Sequence, residues 1–285
     1  MNIGTVFEGS RERFQPLWAE EKSTSAQHEL DQHKLAFMVG VVALMLPIIL
    51  YISTLYQVCF YYSISHFYYS RSMGTVFTGA LAFIGAFLIA YRGEILVERV
   101  GAKIAAVAAF GVAYFPTDGK GCSESELVGR PFAEISGTLP DIALQAPDGG
   151  GYFALFPAAA NFHYISAALL FGFLAFYCFV VFTRVVPEEH ENADGTLKPN
   201  KRRRNVLYYA SGIAIVISML AMGAEGFFGE KTPAGAPPSF WDRNNLTFWF
   251  EALALWAFGI SWMVRGRFYN LAFLDDREKR TIAQG

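Results

Sequence analysis

Residues 35–53 read LAFMVGVVALMLPIILYIS, nineteen residues without a charge, and the charge-free stretch runs on to Ser65. About twenty apolar residues in a helix cross the hydrocarbon core of a bilayer. This stretch therefore predicts a membrane helix over about 35–55, with a kink at Pro47. Working outward, SMGTVFTGALAFIGAFLIAY predicts a second span at 72–91. A third, at 97–116, is short of apolar residues and needs Arg99 and Lys103 to snorkel toward the headgroups. Further windows predict spans at 160–182, 205–224 and 244–264. The expected fold is all-α, a polytopic membrane bundle of six transmembrane helices. It divides into an N-terminal arm (1–33), a membrane domain (34–267) and a C-terminal tail (268–285).

Composition agrees with that class. Of 285 residues, 53% are hydrophobic, 16% aromatic and only 17% charged, against about 25% charged in an average soluble domain; mean hydropathy is +0.29. The net charge of −2 gives no reason to expect a nucleic-acid partner. Three cysteines are too few for a disulfide scaffold, a zinc ribbon or a cysteine-ligated cluster.

Basic residues stay on the cytoplasmic side of a membrane. With six spans, 18 of the 23 Lys and Arg residues fall on the side of both termini and five on the other. Both termini are therefore expected to be cytoplasmic, in a bacterial plasma (inner) membrane or a eukaryotic endomembrane. Residues 1–33 are polar and of mixed charge, without the apolar run of a cleaved signal, and read as a solvated arm or an interfacial helix around FQPLWAEE. KRRR at 201–204 is first a topology determinant and second a candidate for anionic headgroups.

The extracytoplasmic loop 117–159 is acidic and punctuated by Gly and Pro. Its DGGG at 148–151 lacks the strand before and the Lys after that a phosphate-cradling loop needs. Cys59 and Cys122 fall on the outer side, where a disulfide and two separate thiols are equally open readings; Cys178, inside span four, reads as a small apolar residue.

Ionisable groups inside a membrane are costly and mark candidate sites. SISHFYYSR at 63–71 supplies Ser65, His66 and Arg71; FPTD at 115–118 supplies Asp118; NFHYIS at 161–166 supplies His163; and span six carries Glu251. The topology puts all of them in the outer half of the bundle, Glu251 about 10 Å below its boundary at 1.5 Å per residue. The expected site is a polar pocket of Ser65, His66, Arg71, Asp118, His163 and Glu251. Plainer readings stand beside it: the tyrosines as an interfacial belt, His163 as an interhelical hydrogen-bonding group. Glu251 needs a partner, for which Arg71 or a histidine is available.

No cofactor is expected. A hydrolytic metal needs three protein ligands, for which His66, His163 and Asp118 are the alternative set, without HExxH-like spacing. A bis-histidine haem needs His66 and His163 facing each other. A serine hydrolase needs Ser65 or Ser166 near His163, and no GxSxG elbow is present.

The order of motifs resembles the DRAM/FRAG/SFK superfamily of six-span membrane proteins over roughly residues 35–270. The resemblance is carried by Ile64 and Ser65 followed by GTVFTGALAFIGAFLIAYR, by His163 followed by YISAALLFG, by NVLYYASGIAIVISMLAM at 205–222, and by Glu251 followed by ALALWAFGISW. His66 stands where the family usually has an acid after Ile-Ser, and loop 117–159 is unusually long. The resemblance implies a non-enzymatic or lipid-related role, as relatives are linked to autophagy, GPI-anchor lipid maturation and phospholipid organisation. The resulting expectation is a protein that binds or handles membrane phospholipid headgroups, with Arg71 on the phosphate and the histidines and Glu251 orienting the group. The alternatives are a metal-dependent lipid hydrolase, and a structural or regulatory subunit with a membrane-protein partner or a second copy of itself.

Overall fold

The computed structural model describes residues 34–56, 60–70, 72–91, 96–115, 117, 159–185, 190–192, 194–229 and 237–266. These form six long helices: α1 (Lys34–Ser53), α2 (Met73–Ala90), α3 (Leu96–Tyr114), α4 (Ala159–Phe176), α5 (Pro199–Phe228) and α6 (Leu246–Gly266). The described residues contain no strand, only an isolated bridge between Glu191 and Leu197. Five of the six helices are long and apolar enough to cross a membrane, so the chain is an integral membrane protein. The exception is α3, which carries Glu98, Arg99 and Lys103 in its first two turns.

The helices pack α2 on α3, α3 on α4, α4 on α5 and α5 on α6. Small residues make the close approaches. The buried stripe of α3 is Gly101, Ala102, Ala105, Ala106, Ala109 and Ala113, and a side chain at Gly111 would collide with Ser166 of α4. Without a hydrophobic force between helices in lipid, such close van der Waals packing is what associates them. Helix α1 closes on α6 in the same way. A Cβ at Gly259 would lie 2.8 Å from Gly40 O and 2.7 Å from Leu44 Cγ. Trp256 Nε1 also donates to Leu44 O at 3.2 Å, beside Pro47.

Helix boundaries have local causes. Pro199 sits in the first turn of α5, where its missing N–H has no helical partner to lose. At 30 residues α5 is about 45 Å long, so the helix runs well beyond the 205–224 window and includes KRRR. Helix α4 ends in a widened π segment, Tyr177–Val181, in which Phe182 N donates to Tyr177 O five residues back at 2.9 Å. Before α6, a single turn (Phe240–Arg243) is capped by Ser239, whose Oγ accepts from Asp242 N at 3.1 Å. Asn245 then takes a left-handed φ of 51° to redirect the chain.

Candidate functional site

The segment between α1 and α2 is the organising element. Residues 60–70 fold inward as a turn whose 3₁₀ stretch is Ser65–Tyr69. Tyr61, Phe67, Tyr68 and Tyr69 are all buried, so three of the four tyrosines of this stretch are protein core, whereas Tyr62 is exposed. Phe67 packs on Tyr61 and on Phe248 of α6. Tyr69 OH donates to Thr117 O at 2.6 Å, and Thr117 Oγ1 pairs with Tyr164 OH of α4 at 2.9 Å.

Three of the residues expected at the site meet on this turn. Glu251 of α6 accepts from Ile64 N at 2.5 Å and from Ser65 Oγ at 3.2 Å. Ser65 Oγ is also 3.0 Å from His163 Nε2 of α4, and His163 Nδ1 is 2.6 Å from Phe115 O at the end of α3. Ser65 and His163 are only 7% and 3% exposed, so the group is buried where four elements converge.

Proton counting allows two arrangements. A carbonyl only accepts, so the bond to Phe115 O places a hydrogen on His163 Nδ1. If Ser65 donates its one hydroxyl proton to Glu251, its bond to His163 takes the ring's Nε2 hydrogen. In that arrangement both ring nitrogens donate, and His163 is an imidazolium balanced by the Glu251 carboxylate across Ser65. Moving one proton from ring to hydroxyl and another from hydroxyl to carboxylate gives the neutral pair with every hydrogen bond kept. The trio shares one proton and carries no net charge in either arrangement.

The remaining expected residues do not join the trio within the described structure. His66 is half-buried on the same turn and its Nδ1 lies 3.2 Å from Ser63 Oγ. Arg71, Asp118, Cys59 and Cys122 lie outside the described residues. Among the described residues, no three His, Cys, Asp or Glu side chains gather as a metal site requires. Cys178 is a buried free thiol. The backbone donor of Ile64 was invisible to sequence reasoning, because any residue type could supply it.

A nucleophile, a base and a group orienting the base are the core of a serine hydrolase, and Ser65, His163 and Phe115 O have those relations. A donor set for an oxyanion is a further requirement. The amide after Ser65, His66 N, is already bonded to Ser63 Oγ at 3.1 Å, and Ile64 N is held by Glu251. One amide closes the turn and the other fastens it to α6.

The opposite end of the bundle holds a second polar group. Glu98 of α3 and Lys201 and Arg204 of α5 are 1%, 3% and 2% exposed. Lys201 Nζ donates to Phe182 O at 3.0 Å, satisfying a carbonyl at the end of α4. Tyr177 OH donates to Glu98 O at 2.6 Å. Trp262 packs among Phe87, Tyr91, Tyr177 and Phe182. KRRR reads in the sequence as a topology determinant and a candidate for anionic headgroups; Pro199 at the helix start, with Lys201 and Arg204 three apart on one face, is the available sign that part of it turns inward.

No family model, curated protein or solved structure matches the chain.

Proposed function

We propose that this is a six-span membrane protein, with both termini on the basic, cytoplasmic side, that binds phospholipid headgroups without chemical turnover where the 60–70 turn docks. The observation that carries the non-enzymatic reading is that Ile64 N donates to Glu251 and His66 N to Ser63 Oγ, which leaves neither for an oxyanion. Placement at headgroup depth is supported by exposed Tyr51, Tyr56, Tyr62, Tyr114, Tyr164 and Trp249 around this end, as in an aromatic belt. The sixth span, α3, is supported by its outer face: Leu96, Val97, Val100, Ile104 and Val107 are exposed, an apolar strip suited to lipid. The resemblance to the DRAM/FRAG/SFK superfamily points the same way and remains part of the proposal.

Native mass spectrometry of the detergent-purified protein tests this reading. One bound phospholipid fewer in both H163A and E251L than in the native chain supports it; an unchanged number in both variants refutes it. The 3.0 Å approach of Ser65 to His163 favours serine acyl hydrolysis as the second reading. Labelling of native protein by a fluorophosphonate, abolished in S65A, would establish it in place of the first.

A further inference from the structure

From the other end of the molecule, we infer a second lipid site: the seam of α4 and α5 binds an anionic phospholipid, with cations on the headgroup and an apolar strip along the acyl chains. The strip is read from α5. Arg202, Val206, Tyr209, Ile213, Ile217 and Leu220 follow one another at spacings of three or four, so they share one helix face, and all six are exposed. Arg202 heads that strip, with exposed Arg203 beside it.

Helix α4 lines the same seam. The Phe179 and Tyr209 rings are 6.1 Å apart, Val180 is exposed, and Arg184 is exposed just past the helix end. The two cationic ends are fastened together, because Lys201 Nζ bonds Phe182 O and the Phe182 and Tyr208 rings are 5.1 Å apart. Charge complementarity selects the occupant. Described acids at this end are buried Glu98 and, on the connection to α5, Glu191 and Asp194. The exposed cations include Lys34, Arg99, Lys103 and Arg202. A soluble anion would use the cations alone. A nucleic acid has nothing to place against Val206, Ile213 and Ile217. An anionic phospholipid uses both features.

The test uses the full chain in neutral detergent, titrated separately with phosphatidylglycerol, phosphatidylcholine and inorganic phosphate, with bound lipid read by native mass spectrometry. Each basic residue near the headgroups contributes about fivefold in affinity. Phosphatidylglycerol should therefore be retained about tenfold or more over phosphatidylcholine. R202Q should reduce its binding about fivefold, R202K should preserve it, and millimolar phosphate should not displace it. Because Arg202 is exposed, the variant should elute as the native chain does. H163A and E251L should leave this binding intact, which separates it from the headgroup reading at the opposite end. Equal retention of the two lipids, unchanged binding in R202Q, or displacement by phosphate would overturn the inference.

Discussion

Replacing Glu251 separates its hydrogen-bonding role from its charge. In E251L both donors to the carboxylate lose their acceptor. Ser65 O–H can turn to His163 Nε2 once the ring is neutral, since Oγ and Nε2 are already 3.0 Å apart. Ile64 N has no such recourse, because only Glu251 lies along its bond. One orphaned buried donor costs about 1–3 kcal/mol. At about 2–4 °C per kcal/mol for a 150–250-residue domain, the unfolding midpoint should fall by about 2–12 °C. In E251Q the amide oxygen still accepts from Ile64 N, and the amide N–H₂ faces Ser65 Oγ, which now accepts and donates onward to neutral His163. Every partner survives and only the two bonds of Ser65 Oγ change direction, so E251Q should lie within about 1 kcal/mol of native. The assay is thermal unfolding in one detergent, followed by tryptophan fluorescence. A Gln variant as damaged as the Leu variant would show that the negative charge itself holds the turn, and the proton count above would be wrong.

Other consequences follow from the same geometry. G259A should destabilise by about 1–2 kcal/mol net, as overpacking against Gly40 O and Leu44 outweighs the helical gain of alanine. G79A, with nothing within 4 Å of its new methyl, should stabilise by about 0.5–1 kcal/mol; the same sign for both in thermal unfolding would contradict the α1–α6 crossing. Y177F removes a 2.6 Å donor to buried Glu98 O and should cost about 1–2 kcal/mol by the same assay. In the 192–197 turn, hydrogen bonds from the Thr196 hydroxyl and then the Thr196 amide hold the Asp194 carboxyl below the usual carboxylate range. A lowered native value means that the turn is stabilised above the unfolded carboxylate pKa and loosens as pH falls through the lowered one. The Thr196 amide resonance should therefore keep its position at neutral pH and move only in acid; movement near neutrality would refute the assignment.

The helices were legible because each apolar window is a one-dimensional property of the chain. Predicted spans two and six, 72–91 and 244–264, lie within two residues of α2 and α6 at each end. What lay beyond the windows was azimuth. Sequence placed Ser65, His163 and Glu251 in the outer half of the bundle, but that does not say which helices adjoin. Their union depends on a turn that folds back into the bundle, fastened through the amide of Ile64. His66 looked equivalent to His163 by type and depth, yet it lies one residue past Ser65 and bonds its own turn through Ser63. The inward turn of Lys201 and Arg204 was hidden for a related reason. A basic run looks solvated until the helix containing it shows that every third residue faces a neighbour.

The crossing of α1 and α6 at Gly40 and Gly259 has a consequence for how the protein is made. During synthesis, α1 reaches the membrane long before the helix that fits it exists. The 60–70 turn must wait as well, because Glu251 belongs to that same late helix. Chains halted before residue 246 should therefore insert but stay open, with a glycine-faced helix and an undocked aromatic turn available to membrane quality-control proteases. The helix beginning at Leu246 is thus the element that both α1 and the 60–70 turn await.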